Sequence, residues 1–382
     1  MIAAALPPAL TTLCCFLTAL AMSLYGTPLA ARAAMLFGIV DRPDGALKKH
    51  RGAVPYLGGL AVFGSFLLTM ALVFDLDRRV LGMLLAGTLL VLLGLMDDFG
   101  ALGVRAKFLG QGLATLVLIK SGITIQIGAL PDWANMVLTV GWLLGMTNAL
   151  NIIDIMDGLA SGTAVVACVM LLAVAWLNGQ APIVLMTATL IGSLLGFLYY
   201  NRHPARIFLG DTGSLFVGQM LGALAMIGKY DAFNTIGYLS PLLILAVPIF
   251  DTLFVMAVRV ARGRNPFKGS PDHFALRLRR WGMSVRGVNR LTWAAGAVLG
   301  ALGLVNLYLE ASASLLLLAG VGVLLSIAGS VLLLAPAEGP ARERDEADAV
   351  GAGVLSADLV QTAAEESAVR AARLQLVGWR RR

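Results

Sequence analysis

Charge is scarce in this chain. Only 13% of its 382 residues are Asp, Glu, Lys or Arg, 58% are hydrophobic, and the mean hydropathy is +0.83. That balance excludes a soluble globular protein and predicts an all-α, polytopic membrane protein. Cysteine and histidine are equally thin, three of each. Cys14, Cys15 and Cys168 fall inside apolar runs, so neither a disulfide framework nor a zinc site is expected. No basic residue precedes the first apolar run, Arg32 being the first charge, so that run reads as a retained span rather than a cleaved signal peptide. No internal repeat relates one segment to another. The net charge of +7 would elsewhere suggest a nucleic-acid partner. Here its placement across a bilayer comes first, and no nucleic acid is expected.

What the chain has is long apolar runs. Scanning for stretches of about 20 residues gives eleven candidate spans: 6–28, 56–74, 80–96, 108–122, 133–150, 158–177, 182–200, 213–229, 236–258, 289–308 and 313–335. Eleven spans make the loops alternate sides, and 25 of the 29 Lys and Arg then fall on one side together with the tail. By the positive-inside rule that side is cytosolic and the N-terminus faces out. Residues 1–336 are expected to form one transmembrane domain. Residues 337–382, rich in Ala, Glu, Asp and Arg, are expected to form a cytosolic tail, partly disordered or helical, whose basic end suits anionic lipid heads.

The polar sequence gathers on the same side. Asn148-Ala-Leu-Asn151-Ile-Ile-Asp154-Ile-Met-Asp157 sets two amides and two carboxylates at three-residue spacing beside apolar runs. A carboxylate at bilayer depth costs roughly 2.5 kcal/mol or more and normally marks an ion site or polar pathway. Neighbours in this series share a helix face, but the drift of about 60° per step would put Asn148 and Asp157 on opposite sides of a straight helix. The helix is therefore expected to end inside the stretch, with Asp157-Gly158 at its cytosolic mouth. Asp97-Asp98 and Asp211 stand at two other span ends. Carboxylates without His or Cys partners are hard oxygen ligands, suited to Mg2+ or Mn2+. Mg2+ commonly leaves positions to water and phosphate, which implies a phosphorylated substrate.

Lys48, Arg51, Arg105, Lys107, Arg202 and Arg206 accompany these acids. They suit a diphosphate, and equally they satisfy the positive-inside rule; Lys107 is set apart by its nine-residue separation from Asp98. Gly210-Asp211-Thr-Gly-Ser214 opens a span either as an anion site at a helix N-terminus or as a cap in which Asp211 satisfies the first turn. Gly58-Gly59 suits close approach of backbone to phosphate or helix packing. Of the histidines, His50 and His273 stand among other candidate groups, and one histidine alone carries little weight.

Four segments in order resemble the polyprenyl-phosphate N-acetylhexosamine-1-phosphate transferase family, which includes undecaprenyl-phosphate N-acetylglucosamine-1-phosphate transferases and phospho-N-acetylmuramoyl-pentapeptide translocases. They are Lys48-Lys-His50 with Pro55 and Gly58-Gly59; Asp97-Asp98 with Lys107 and Gly110-Gln111; Asn148 through Leu159; and Phe208-Leu-Gly-Asp211-Thr-Gly-Ser214. The similarity covers roughly residues 35–290, and its details are nearer the N-acetylglucosamine branch. It implies an enzyme of ten or eleven helices in the bacterial cytoplasmic membrane, active site on the cytosolic face, plausibly a homodimer. The reaction implied is transfer of a sugar 1-phosphate from a UDP-N-acetylhexosamine to a polyprenyl phosphate, releasing UMP, with Mg2+ as cofactor.

By the same resemblance Asp211 is the main metal ligand, joined by Asp157. Asp97 and Asp98 deprotonate or orient the lipid phosphate, and Lys107 holds a phosphate. Asn151, Asp154 and Asp157 line the nucleotide-sugar and metal site, Phe208 stacks on uracil, and Lys48, His50, Asn148 and His273 complete the substrate contacts. Two positions depart from the family: only His273 remains where several histidines are usual, which leaves the sugar open, and Ile155 replaces a usual glycine. Two other readings of the acids, an intramembrane prenyltransferase and a cation-coupled transporter, fit less well. The first lacks the Gly-Asp-Thr-Gly-Ser element, and the second sets its acids near the midplane with repeat symmetry.

Overall fold

The computed structural model describes residues 7–41, 54–74, 77–100, 102–230, 234–265 and 272–335. Lys48, His50 and Arg51, and the tail expected at 337–382, lie outside the described residues. Every candidate span is helical, as lipid requires of a backbone that must satisfy its own polar groups. In chain order the helices are α1 (Pro8–Leu36), α2 (Gly58–Val73), α3 (Arg78–Asp98), α4 (Val104–Lys120), α5 (Asp132–Ile153), α6 (Leu159–Leu177) and α7 (Ala181–Asn201). Then follow α8 (Gly210–Ile227), α9 (Ser240–Ile244), α10 (Ala246–Ala261), α11 (Phe274–Arg280), α12 (Val285–Asn306) and α13 (Ala311–Leu333). A two-residue antiparallel pairing of Val40–Asp41 with Val54–Pro55 is the sole strand contact among the described residues.

Seven of these helices are long and apolar enough to cross a membrane, or eight if the pair Gly237–Ile244 and Ala246–Ala261, bent by 71°, counts as one span. The all-α polytopic expectation holds. Of the eleven expected segments, α2 has 16 residues, α4 has 17 and α8 has 18, too short or too polar to pass alone. For α8 the reason is its position. It packs against α2, α3, α5 and α6, and nearly every residue is buried, so its polar side chains meet protein rather than lipid. At the opposite extreme, α13 presents Leu316, Leu324 and Val323 outward as a lipid-facing helix does.

Backbones close up around the start of α8. A Cβ on Gly94 would overlap the Thr212 amide, and one on Gly59 would overlap the Gly213 backbone. The glycines of α2 and α3 thus serve helix approach, and Gly58-Gly59 does so by donating its amides to Phe208 O at 3.1 Å and Leu209 O at 2.9 Å. Helix ends are set by local chemistry as well. Asp77 caps α3 by accepting from the amides of Arg79 and Val80, and Ser284 caps α12 by accepting from Gly287 N. As a result the ends of α3, α5 and α7 and the starts of α2, α4, α6 and α8 meet at one end of the bundle.

Candidate active site

Chain geometry first decides where each acid goes. Helix α5 stops at Ile153, inside the polar stretch as its drift requires, and Asp154 follows as the C-terminal cap residue. Asn151 remains on the last turn of α5 and faces α8, donating from Nδ2 to Asp211 Oδ1 at 2.7 Å and to Ser214 Oγ at 2.9 Å. Lys107, on the first turn of α4, projects its ammonium between two helices. It donates to Asp97 Oδ2 at 2.7 Å, to Asp211 Oδ2, and to Asn151 Oδ1 at 3.3 Å. Asp97, Lys107, Asn151 and Asp211 therefore form one cluster, brought together from α3, α4, α5 and α8.

Asp98 does something different from its neighbour. Its two oxygens accept from Asp211 N at 2.8 Å, Thr212 N at 3.0 Å and Thr212 Oγ1 at 2.6 Å, so it caps α8 from another helix. The anion that the amides at this helix start were expected to bind is the chain's own Asp98 carboxylate, and the cap is not Asp211. Gly210, at φ +71° in the left-handed region, lets the chain turn in against that carboxylate, where a Cβ would crowd both oxygens. The Asp97-Asp98 pair is thus split, one acid toward Lys107 and the other holding α8 in place.

Asp154 keeps partial exposure while protein and other acids ring it. Burial, then the charges of Asp211, Asp98 and Asp157, push its carboxyl up to about 8. Asp97 and Asp211 share a single ammonium, so the site holds more negative charge than its own cation neutralises. All donors are oxygens and suit a hard divalent ion. Among the described residues no three His, Cys, Asp or Glu side chains converge as a closed metal cage. A Mg2+ that takes one or two carboxylates and leaves its other positions to water and phosphate fits these residues.

Asp157 belongs to a second network. Its Oδ2 lies 2.7 Å from His203 Nδ1 and accepts from Ala205 N at 3.0 Å, and its carbonyl oxygen accepts from Asn289 Nδ2 of α12 at 2.7 Å. Asn201 ties this loop down by accepting at Oδ1 from Gly158 N and Ser161 Oγ and donating to Ile207 O. The two residues assigned to metal, Asp211 and Asp157, are therefore held in different hydrogen-bond networks, with Asp154 feeling both.

The remaining expected residues scatter. Asn148 is locked in a reciprocal amide pair with buried Gln111, donating to its Oε1 at 2.7 Å and accepting from its Nε2 at 3.3 Å, which staples α4 to α5. Phe208 lies against Tyr56, ring centroids 5.9 Å apart. His273, nearly buried, pairs through Nδ1 with Asp251 Oδ2 at 2.8 Å, while Phe274 N donates to the other oxygen of Asp251. Sequence reasoning passed over His203, Asn201, Asp251 and Asn289. Asp251 carried a usable signal, an acid in the middle of the apolar run 236–258. Asn289 carried none, standing 132 residues from the acid it touches.

Known proteins share this chain's pattern over most of its length. Residues 80–229, from α3 through α8, match the sequence model of glycosyl transferase family 4. A Bacillus subtilis protein named probable undecaprenyl-phosphate N-acetylglucosaminyl 1-phosphate transferase is 34% identical over 71% of this chain and 78% of its own. The decaprenyl-phosphate N-acetylglucosaminephosphotransferase of Mycolicibacterium smegmatis is 31% identical over 71% of this chain and 76% of its own. The phospho-N-acetylmuramoyl-pentapeptide-transferase of Desulforudis audaxviator is 32% identical over 76% of this chain and 96% of its own. The matched core contains the whole Lys107 cluster, and with identity of this extent the chain belongs to the polyprenyl-phosphate N-acetylhexosamine-1-phosphate transferases of glycosyl transferase family 4 and is a glycosyl-1-phosphate transferase.

Proposed function

We propose that this protein transfers N-acetylhexosamine 1-phosphate from a UDP-sugar to undecaprenyl phosphate or a related polyprenyl phosphate, releasing UMP, in a Mg2+-dependent reaction at the cytosolic face of the bacterial cytoplasmic membrane. The observation that carries the reading is the Lys107 ammonium held between Asp97 and Asp211 beside Asn151. An oxygen of the lipid phosphate attacks the β-phosphorus of the UDP-sugar. As that bond forms, the bond to the oxygen bridging the two phosphates breaks and UMP leaves. Neither phosphate needs a strong base, since both are largely ionised at neutral pH, so the work is positioning and neutralisation.

Lys107 binds a phosphate oxygen and Asp97 orients it. Asp98 holds the α8 start rigid, and Asn151 aims Asp211. Asp211, with Asp154 nearby in charge, would hold Mg2+ or Mn2+, which supplies neutralisation of the diphosphate and of the departing UMP. Asp157 is assigned to the nucleotide-sugar. UDP-N-acetylglucosamine is the first donor to try, since two of the relatives above are named for N-acetylglucosamine transfer. The cytosolic orientation rests on the one-sided Lys and Arg distribution and on UDP-sugars being water-soluble. The test is UMP release from purified protein in detergent with polyprenyl phosphate, a panel of UDP-sugars, and Mg2+ or a chelator. Lipid-dependent release abolished by the chelator is expected; release without lipid, or undiminished by chelation, would overturn the reading.

A further inference from the structure

We propose that His203 and Asn289 are positioning residues that clamp Asp157 so that its second oxygen is presented to the nucleotide-sugar; the proposal rests on the transfer reaction above. Asp157 is held at three points from two directions. His203 Nδ1 and Ala205 N take Oδ2, and Asn289 Nδ2 takes the backbone carbonyl. A carboxylate can only accept, so Nδ1 of His203 carries the proton and donates. The other ring nitrogen, Nε2, is buried with no partner among the described residues, so the bond to Asp157 is the ring's single hydrogen bond there.

Oδ1 of Asp157 takes no hydrogen bond among the described residues and is absent from the fully buried, unpartnered atoms. It is therefore not fully enclosed, an acceptor whose direction is fixed by its twin on a side chain 22% exposed. Its charge is felt at Asp154, together with those of Asp211 and Asp98, so the clamp lies within electrostatic reach of the Lys107 cluster. A donor on the substrate, an N–H or a hydroxyl of the nucleotide-sugar, would complete it. The lipid phosphate offers no such donor when ionised, so the clamp discriminates between the two substrates. The clamp also gives α12 a part in the reaction, since Asn289 lies beyond the 80–229 core that matches the family model.

The experiment is steady-state kinetics on full-length protein in detergent, varying each substrate in turn, with thermal unfolding measured on every variant. His203→Ala removes the side-chain donor, and KM for the UDP-sugar is expected to rise roughly tenfold or more, the scale of one hydrogen bond to a charged group. KM for polyprenyl phosphate should stay within about twofold, a shift no larger than ordinary kinetic scatter. His203→Asn keeps a donor at similar reach and should restore most of the loss, and Asn289→Ala should follow His203→Ala with a smaller rise. A loss falling equally on both KM values and on the melting temperature, without rescue by His203→Asn, would reduce the clamp to a structural contact and overturn the proposal. So would unchanged kinetics in His203→Ala. A wild-type protein that turns over no UDP-sugar would overturn the transfer reading itself, an outcome separable from any variant's behaviour.

Discussion

Lys107 pairs with two acids and Arg277 with one, at different depths in the protein. Around Lys107 the side chains keep part of their surface, 19% for the lysine, 18% for Asp97 and 30% for Asp211. Around Arg277 almost nothing is exposed, 2% for the arginine and 4% for Asp272, and the guanidinium also reaches Leu332 O at the end of α13. The adjoining pair, His273 with Asp251, is just as enclosed. The second region is closer to balance in charge: Asp272 answers both Arg262 and Arg277, and Asp251 answers His273. The first is overcharged with acid and open at the bundle end. Residue type alone does not separate a reacting site from a structural lock; surplus charge with access does.

The widest gap between the regions should appear with Asp211→Asn. Turnover is expected to fall by about a thousandfold, the scale of removing one electrostatic stabiliser at a reacting phosphate. The melting temperature in detergent should barely move, because the pair is partly solvated. Retained UMP release at ordinary Mg2+ would dissolve the distinction. Asp272→Ala should do the reverse. Stranding Arg277 without its partner is expected to cost about 3–5 kcal/mol of stability, read by thermal unfolding, while the folded fraction keeps kcat within about threefold, less than 1 kcal/mol of barrier. A stable but inactive variant would move the buried region into the catalytic one.

Asp154 sharpens the comparison through pH. Its carboxyl titrates at about 8 in the folded protein, whereas an unfolded chain's aspartate titrates near about 3.9. The folded state therefore holds an additional proton between those limits, and stability falls as pH rises through the window. In chelator, the wild type should lose stability from about pH 4 to about pH 8, and Asp154→Asn should remove that slope, ending about 1 kcal/mol more stable at the upper limit. Saturating Mg2+ should erase the difference. An unchanged slope in the variant would show that the surplus charge lies elsewhere. The smallest effect is expected from Gln111→Ala, which breaks the amide staple to Asn148. It should cost about 1 kcal/mol of stability and leave both KM values within about twofold, and a selective rise in one KM would return Asn148 to the substrate contacts.

Much of this was legible in order of residues. Long apolar runs require helices in lipid, and the 148–157 drift required α5 to end inside that stretch, as it does at Ile153. The spacing from Asp97-Asp98 to Lys107 pointed to a shared site, and the two ends do meet through Asp97. The limits of that reading are equally specific. Adjacent acids look alike in sequence, yet Asp98 faces the α8 amides because Gly94 admits that helix, and Asp97 faces Lys107. Asp157 shares a period with Asp154, but once the helix ends the period no longer applies, and the loop turns Asp157 toward His203. His273 read as a loop histidine among other candidate groups, and in the fold it pairs with Asp251 of α10.

By itself the sequence determined the membrane class, the apolar runs that become helical and the set of acids and bases beside them, because hydropathy, length and local spacing act over neighbouring residues. Only the tertiary structure decided which acid meets which base. That choice depends on backbones from distant segments closing to within hydrogen-bond distance, as α2 and α3 do on the glycines facing α8, and such approaches are set by packing rather than by any one stretch of chain.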